Sequence, residues 1–324
     1  MAPNQTPLER LRRSGIAPDR GLGQNFLIDP NILDVIERTA ALAAGDVVLE
    51  VGPGLGVLTE RLLDRCGVVH CIEMDRRLSG MLEDEFGARP GFNLHLGDAV
   101  RFDLGSLRPP PVKFVANLPY NIAAPMVMRS FAELPSLHSW CLMLQKEIAE
   151  RLFSAPGSAN YGGVSVMTQL MAEKVSARPV PPTVFYPRPR VNSSLLAFRR
   201  RRGGGYAAAN FPRVKAVVYA AFAHRRKKLV NSLAEAWPDV PPTGSLGEPP
   251  AGVLSIGEPP GAVTSSVVSS GGEPPGGRSI AGRKRLLEAL LAEAGLGIGV
   301  RSQELTPPQF EKLVRIMDKN GLFG

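Results

Sequence analysis

The stretch NLPY, residues 117–120, brings together groups that can hold a reactive amine. It follows the apolar residues 114–116, which are typical of the end of a buried strand. The proline restricts the backbone and has no N–H to donate, so the turn keeps a free carbonyl. The amide oxygen of Asn117 and that carbonyl can accept both hydrogens of an exocyclic amine while the Tyr120 ring stacks on a planar heterocycle. We call residues 117–120 the acceptor corner and predict that the chain supplies a group that reacts with such an amine.

A glycine-rich turn lies upstream, at residues 52–56, GPGLG. It follows the apolar run Val47–Val51 and precedes a helical pattern, VLTERLLDR, on which we expect Thr59 and Glu60 to face outward. The succession of strand, glycine turn and helix is typical of the opening of a doubly wound sheet, where glycines let a ligand approach the backbone. We call residues 52–56 the glycine turn.

Two carboxylates follow the next two predicted strands. Glu73 lies 19 positions after Gly54 (73 minus 54) and ends the apolar run 68–72, where an acid can accept from ribose hydroxyls. Asp98 follows the run Phe92–Leu96. Because the carboxyl ends of parallel strands meet at one edge of a sheet, we expect both acids, the glycine turn and the acceptor corner at the same edge.

The glycine turn leaves two nucleotide cofactors to be compared. A nicotinamide enzyme normally has GxGxxG and places a pyrophosphate on the helix N-terminus. This chain has GxGxG, preceded by the acidic Glu50. S-adenosylmethionine has no pyrophosphate, and its ammonium and sulfonium are cationic, so nearby carboxylates favour it. The pattern therefore predicts S-adenosyl-L-methionine as cofactor, with a dehydrogenase as the weaker alternative.

The composition is that of a basic protein without a membrane segment. Its 38 Lys and Arg against 30 Asp and Glu give a formal charge of +8, which suits a polyanionic partner. Three cysteines without CxxC spacing favour buried thiols in a reducing compartment, and four histidines without metal-ligand spacing indicate structural roles. No apolar stretch is long enough to span a bilayer. We therefore expect a cytoplasmic monomer with no metal and no membrane association.

Clusters of basic residues predict contact with RNA. From residue 207 the pattern is helical, and VVYAAFAHRRKKLVNSLAEA would place four basic residues on one turn beside an apolar face. A solvated charged face is the plainer interpretation, but with the basic residues upstream a phosphate-binding track is favoured. The residues concerned are Arg188, Arg190, 199–202, Arg225, Arg226, Lys227 and Lys228.

Composition also predicts the division of the chain. We expect a flexible basic arm over 1–20, whose Arg10, Arg12 and Arg13 either touch phosphate or are solvated. A catalytic domain would span 21–204, with a helix beginning at Asp29-Pro30, and a helical RNA-binding domain 205–324. Within the latter, residues 238–282 repeat GEPP three times without any helical or alternating period, which indicates a flexible insertion.

Taken in chain order, nine strings resemble the ribosomal RNA adenine dimethyltransferase family. They are QNFL (24–27), EVGPGLG (50–56), IEMD (72–75), GDA (97–99), NLPYNI (117–122), LQKE (144–147), YGGVSVMTQ (161–169), PPTVFYPRPRVNSSL (181–195) and HRRKKLVNSL (224–233). The resemblance covers most of the chain. The insertion at 238–282 departs from it, because the family has a short link between helices there.

The resemblance implies an α/β fold and an rRNA-modifying activity. The fold would be a doubly wound, mostly parallel sheet of the S-adenosylmethionine-dependent methyltransferase type, followed by a small all-helical C-terminal domain. The reaction would dimethylate the exocyclic amines of two adjacent adenosines near the 3′ end of 16S rRNA, in the small ribosomal subunit or its precursor.

The resemblance also implies roles for individual residues. Asn25 and Leu27 would close over the cofactor, Gly52 would lie against its methionine part with Gly54 beside it, Glu73 would hold the ribose, and Asp98 with Ala99 would hold its adenine. Asn117 would contact both the cofactor and the target amine, and Tyr120 and Phe185 would flank the target base. We expect Tyr186, the neighbour of Phe185, to be a core aromatic instead.

The acceptor corner suggests how the transfer proceeds. Displacement at a sulfonium methyl group is in line, so positioning supplies much of the acceleration. Hydrogen bonds from the amine to Asn117 and to the carbonyl of Leu118 or Pro119 would favour a pyramidal nitrogen with its lone pair aimed at the methyl group. The base must leave its stack to reach the corner, which is easiest in a single-stranded loop.

Two further functions fit the same motifs. The first is an adenine methyltransferase of large-subunit rRNA that confers antibiotic resistance, which would share the cofactor strands. The second is a ribosome-assembly or RNA-binding factor that kept the fold without catalysis. HRRKKLVNSL and YGGVSVMTQ favour the small-subunit enzyme by resemblance, and the intact residues of the acceptor corner favour a catalyst.

Overall fold

The computed structural model describes residues 6–19, 21–202, 205–236 and 279–323. Most of the predicted insertion at 238–282 and the first residues of the predicted arm therefore lie outside the described residues. The chain divides into a first unit, Met1–Phe153 with Met171–Gly204, and a second unit, Ser154–Leu170 with Gly205–Gly324. This division differs from the predicted one in that residues 154–170 group with the second unit.

A seven-stranded sheet forms the centre of the first unit. The strands of this unit are β1 (Phe26–Leu27), β2 (Val47–Val51), β3 (Val68–Glu73), β4 (Phe92–Leu96), β5 (Lys113–Asn117), β6 (Ser139–Gln145), β7 (Ala172–Val180), β8 (Phe185–Tyr186) and β9 (Ser193–Arg200). The sheet has the order β4-β3-β2-β5-β6-β9-β7. Its pairs are parallel from β4 to β6, and β9 runs antiparallel to both β6 and β7. The predicted doubly wound, mostly parallel fold is confirmed.

Helices cover the sheet and begin at the polar caps that the sequence provides. Asp29 accepts the N–H of Asn31 at the start of the second helix, and Asp75 caps the fourth helix through the N–H of Arg77. Apolar side chains of the second and third helices, such as Ile36 and Leu62, are buried in the core of this unit. The helices are α1 (Pro7–Ser14), α2 (Pro30–Ala40), α3 (Val57–Arg65), α4 (Arg76–Phe86), α5 (Ala123–Glu133) and α6 (Lys146–Leu152).

The segment expected to be a flexible arm contains α1, and that expectation is wrong for residues 6–19. Thr6 and Glu9 form a capping box at its start, and Gly15 ends it in a left-handed conformation. Arg10 and Leu11 are buried. A helix with a buried face is held by tertiary contacts, which local composition does not reveal.

The second unit consists of helices in its described part. They are α7 (Gly163–Met171), α8 (Gly205–Ala209), α9 (Phe211–Phe222), α10 (Leu229–Ala236), α11 (Ile280–Glu293) and α12 (Pro307–Lys319). The Tyr161 hydroxyl donates to the Leu305 carbonyl at 2.7 Å, and its ring meets that of Phe222, which in turn contacts Phe310. These buried contacts explain why residues 154–170 belong with the helices that follow.

The basic run of the second unit lies in a turn and not on a helix. The predicted single helix is broken, because α9 ends at Phe222 and α10 begins at Leu229. The Ser232 hydroxyl donates to the Ala220 carbonyl, and the Leu229 N–H bonds to the Val300 carbonyl. These tertiary hydrogen bonds replace the continuation of α9. Within the described ranges, no helix combines the length and apolar character that crossing a membrane requires.

Candidate functional site

The carboxyl ends of the four strands β2 to β5 form one edge of the sheet. Val51 pairs with Ile72 and Glu73 pairs with Leu96, so the ends of β2, β3 and β4 are level. The ladder continues into the loops, since the Gly52 N–H donates to the Ile72 carbonyl at 2.9 Å. The edge therefore presents the residues that follow each strand in one row.

The glycine turn and the acceptor corner meet at this edge. Gly52 has a φ of +69°, and a Cβ built on it would lie 3.2 Å from Cδ of Pro119. Gly54 has a φ of +59°, and its Cβ would lie 3.0 Å from the Phe26 ring. A side chain at either position would be strained and would clash with Pro119 or Phe26, so glycine lets the turn pack against both residues.

Glu73 is fixed by backbone donors beneath this turn. Its Oε2 accepts the Gly54 N–H at 3.2 Å, and its Oε1 accepts the N–H groups of Met74 and Asp75 at 2.9 Å each. Burial raises the pKa of Glu73, although these three donors act in the opposite direction. The carboxylate is thus held in one orientation next to the glycine turn, where its remaining lone pairs can accept hydroxyl groups.

The loop after β4 is held by an arginine of α5. Asp98 accepts the Val100 N–H at 2.9 Å, and its side chain is partly exposed. The guanidinium of Arg129 donates to the carbonyls of Ala99, Val100 and Phe102 at 2.6–2.7 Å. The same guanidinium forms an ion pair with Glu133. The helix that follows the acceptor corner therefore fixes the loop that carries Asp98.

Two apolar side chains at this edge were not singled out from the sequence. Met74 is 57% exposed, and Leu96, at the end of β4, is also exposed. They flank the two acids of the edge and can cover the faces of a flat ring. For Met74 the signal available in the sequence was an apolar residue directly after an acid at a strand end, whereas Leu96 comes two positions before Asp98.

In the segment before α2, the polar side chains of Gln24 and Asn25 bond to the protein itself. Gln24 donates to Asp75 at 3.1 Å, and Arg77 holds the pKa of that acid at about 2. Asn25 donates to the Gly23 carbonyl. Leu27 is buried in the core, so the closure over a cofactor implied for Leu27 is not a role of its side chain in this arrangement.

The acceptor corner keeps two oxygen acceptors open. Asn117 donates through Nδ2 to the Asn25 carbonyl at 3.0 Å, which directs its Oδ1 the other way. Among the described residues, neither that Oδ1 nor the Leu118 carbonyl accepts a hydrogen bond, whereas the Pro119 carbonyl accepts the Ile122 N–H at 3.2 Å. The Leu118 carbonyl is thus better placed than that of Pro119 to accept a hydrogen of an amine.

The two aromatic residues implied to flank a base, Tyr120 and Phe185, differ in their burial. The Tyr120 hydroxyl shares a 2.7 Å hydrogen bond with Ser193, and burial raises its pKa. Phe185 is 1% exposed and packs in the core, paired through β8 with Leu27 of β1. Tyr186 is 46% exposed, so its prediction as a core aromatic is wrong. In an antiparallel pair successive side chains alternate between faces, and here Phe185 takes the inner face.

Glu50 lies beneath the glycine turn and does not face a ligand. Its carboxylate accepts from the Thr59 hydroxyl at 2.7 Å and from the Cys71 thiol at 3.5 Å. Burial raises its pKa to about 7. Thr59 was expected to face outward, but it is buried and its hydroxyl donates to this acid.

The predicted RNA-binding residues differ in how they are engaged. Arg188 and Arg190 of the first unit are exposed. Arg199 pairs with Glu173, and Arg200 donates to the carbonyls of Leu134 and Leu137, so these two are occupied within the first unit.

In the second unit the basic turn, residues 225–228, is exposed. Arg225 donates to the carbonyls of Ala159 and Tyr161, and Lys227 pairs with Glu235. Within the described part of this unit, Arg226 and Lys228 have no such partner. These two cations are the ones available to phosphate.

Comparison with known proteins identifies a matching family and similar rRNA methyltransferases. The family model for ribosomal RNA adenine dimethylase matches residues 19–240. Over 216 residues the chain is 45% identical to ribosomal RNA small subunit methyltransferase A of Rubrobacter xylanophilus, covering 67% of this chain and 80% of that protein. The Kineococcus radiotolerans protein of the same name is 44% identical over 246 residues, covering 74% and 81%.

Solved structures share the fold. A dimethyladenosine transferase from Plasmodium falciparum has a TM-score of 0.67 at 23% identity, covering 91% of this chain and 98% of that one. The 23S rRNA methyltransferase ErmE has a TM-score of 0.57 at 25% identity, covering 91% and 100%.

Proposed function

The chain belongs to the ribosomal RNA adenine dimethylase family, and we propose that it dimethylates two adjacent adenosines near the 3′ end of small-subunit rRNA. It is an rRNA methyltransferase. Relatives at 45% and 44% identity are both named small-subunit enzymes, which supports that subunit. The observation that carries the proposal is the meeting of the glycine turn with the acceptor corner at Gly52 and Pro119.

S-adenosylmethionine is the cofactor that the sheet edge fits. The backbone of the glycine turn suits a methionine part, Glu73 suits ribose hydroxyls, and Asp98 suits an adenine amine. Met74 and Leu96 would cover the adenine faces. When bound, this cofactor supplies an electrophilic methyl group.

The acceptor corner orients the amine. Oδ1 of Asn117 and the Leu118 carbonyl each accept one hydrogen of the adenine amine, which favours a pyramidal nitrogen whose lone pair points away from both oxygens. Positive charge develops on that nitrogen during the transfer, so the two oxygens stabilise the transition state more than the bound substrate. No strong base is needed, because the proton leaves only after the new bond has formed.

Tyr120 provides the aromatic face for the extruded base. The bond to Ser193 fixes its ring, and its raised pKa keeps the hydroxyl neutral. Phe185 is buried behind this region, and a direct contact with the base would require it to leave the core. Its role in the proposal is therefore to support the β1 and β8 pair that places Asn25 beside Asn117.

RNA affinity comes from exposed cations in both units. Arg188 and Arg190 would contact phosphate from the first unit, and the basic turn, above all Arg226 and Lys228, from the second. We propose that the partner is the small ribosomal subunit or its precursor and that the protein acts as a cytoplasmic monomer.

The test is transfer of radiolabelled methyl groups to small subunits purified from cells that lack this modification. We expect incorporation into these particles, with large subunits and naked rRNA as controls that accept far less. Primer extension should place dimethyladenosine at two adjacent positions near the 3′ end of the small-subunit rRNA. Labelling of large subunits instead would favour the activity that the structural likeness to a 23S rRNA methyltransferase raises.

A further inference from the structure

Helix α1 lies directly behind the glycine turn. Arg10 of this helix is 4% exposed, and its Nη1 donates to the Leu55 carbonyl at 3.1 Å. Leu55 sits between Gly54 and Gly56, which both have left-handed φ angles of +59° and +72°. The arginine thus binds the carbonyl of the peptide that joins Leu55 to Gly56, within the glycine turn.

The charge of Arg10 is satisfied within the same unit. Its Nη2 lies 2.9 Å from Glu60 on α3 and 3.2 Å from Glu85 on α4, and the guanidinium lies 5.7 Å from the Phe86 ring centroid. An arginine with several donors in a fixed fork can serve all of these partners at once, which a lysine cannot. Arg10 therefore joins α1, α3, α4 and the glycine turn, and it is not available to phosphate.

Apolar packing supports the same contact. Leu11 forms a buried cluster with Phe26, Leu55 and Leu78. The Phe26 ring also occupies the space beside Gly54 where a side chain would be. The turn is therefore packed against both α1 and β1.

We propose that Arg10 is a positioning residue for the cofactor, acting through the Leu55 carbonyl. Fixing that carbonyl fixes the plane of the Leu55–Gly56 peptide, because a peptide unit is planar, and this restricts the turn between its last two glycines. A turn that is already ordered loses less conformational freedom when it binds a ligand, and this raises affinity. The proposal rests on the proposed function, since it takes the glycine turn as the cofactor site.

The test compares Arg10→Met with Arg13→Met on the same helix. Arg13 is 53% exposed and, among the described residues, pairs with Glu85 alone, so its loss removes a surface ion pair but no hydrogen bond to the turn. We expect Arg10→Met to weaken binding of S-adenosylhomocysteine, measured by calorimetry, about tenfold, and Arg13→Met to stay within about twofold. In the ligand-free protein, hydrogen exchange of the Gly56 N–H, which bonds to the Pro53 carbonyl, should accelerate in Arg10→Met alone.

A second variant keeps the test decisive if Arg10→Met does not fold. Arg10→Lys retains a cation between Glu60 and Glu85 but loses the forked bond to Leu55. We expect it to fold and to bind S-adenosylhomocysteine several-fold more weakly, with a raised KM for the cofactor and an unchanged kcat at saturation. Unchanged affinity in either folded variant would overturn the proposal. Lack of binding by the unmodified protein would count against the proposed function instead.

Discussion

The glycine turn and the acceptor corner touch at Gly52 and Pro119, but the protein holds them in opposite ways. The glycine turn is held by the buried Glu73, which accepts the Gly54 N–H, and by the buried Arg10, which donates to the Leu55 carbonyl. The buried Glu50 on β2 accepts from Thr59 on α3 and so links the elements on either side of the turn. The side chains of the acceptor corner are fixed by hydrogen bonds from Asn117 to the Asn25 carbonyl and between Tyr120 and Ser193. The glycine turn is thus supported by buried charged groups, whereas the acceptor corner presents oxygens that can accept hydrogen bonds.

This difference matches what each side has to do. A cofactor that binds in every turnover benefits from a turn that is ordered beforehand. A target amine is held best by acceptors that have no other partner, because a carbonyl that already accepts one hydrogen bond has only one lone pair left for it. The Leu118 carbonyl meets that requirement among the described residues, and the Pro119 carbonyl does not.

The largest effect is expected where the two sides meet, in Gly52→Ala. The new methyl group would face Pro119 at 3.2 Å, and alanine at a φ of +69° costs roughly 1–2 kcal/mol. We expect methyl transfer to become undetectable and binding of S-adenosylhomocysteine to weaken more than tenfold. Gly157→Ala is the matched control, because Gly157 has a φ of +82° with nothing within 4 Å of its Cβ. If Gly52→Ala and Gly157→Ala lose the same stability and both keep methyl transfer, the activity does not depend on the contact between Gly52 and Pro119.

A large effect on turnover alone is expected in Asn117→Ala. Loss of one of two aligned acceptors should lower kcat by about 10²- to 10³-fold, by analogy with the removal of one oxyanion donor. RNA affinity should stay within a few fold, because the basic residues are unchanged. Asn121→Ala, at an exposed position just after the corner, should keep normal turnover. Unchanged turnover of Asn117→Ala in a purified assay would remove this residue from the mechanism.

The support beneath the glycine turn can be measured through pH. The pKa of Glu50 is raised to about 7, so the folded protein binds that proton more tightly than the unfolded chain does. Stability should therefore fall by about 3 kcal/mol as pH rises from about 4.5 to 7, and Glu50→Gln should abolish that part of the fall. Urea unfolding at several pH values measures it. Glu83→Gln, at an exposed position of α4, should leave the profile as it is, and an unaltered profile in Glu50→Gln would contradict a buried proton.

A smaller effect is expected at the aromatic face. Tyr120→Phe keeps the ring but loses the bond to Ser193, which contributes about 1 kcal/mol or roughly fivefold in rate. Ser193→Ala removes the same bond from the other side and should match it within about twofold. A much larger loss in Tyr120→Phe would mean that the hydroxyl contacts the RNA directly.

The smallest effect should leave both sides of the site alone. Arg226→Gln is expected to reduce the salt dependence of RNA binding by about one unit of slope, since it removes one phosphate contact. Lys227→Gln should change the slope less, because Lys227 is paired with Glu235. Binding titrations between low and high salt distinguish the two, and equal slopes for both variants would exclude a special role of Arg226.

The sequence was sufficient for the features that depend on neighbouring residues. Strands β2 to β5 end at the glycine turn, Glu73, Asp98 and Asn117, because glycine, proline and acidic residues mark strand ends locally. Parallel pairing then places those ends on one edge, so the outline of the site follows from strand order.

Features that depend on distant partners were not predictable in the same way. Arg10 was expected either to touch phosphate or to be solvated, because its partners Leu55 and Glu60 come 45 or more positions later. Thr59 is buried because its hydroxyl donates to Glu50. Pairing of β8 with β1 determines that Phe185 is buried and Tyr186 exposed. The break between α9 and α10 depends on Val300. In each case a tertiary hydrogen bond or strand pair overrode the local pattern.

The bond from Asn117 to the main chain at Asn25 also determines which residue type position 117 accepts. A carboxylate has no hydrogen to donate. The carboxylate of an aspartate at position 117 would repel the Asn25 carbonyl oxygen, and its side chain would rotate away from the acceptor corner. An amide satisfies the carbonyl with its nitrogen and still leaves an oxygen for the base. The preference for asparagine at position 117 therefore comes from a backbone carbonyl and not from the side chain of residue 25. A different side chain at position 25 would leave that preference unchanged.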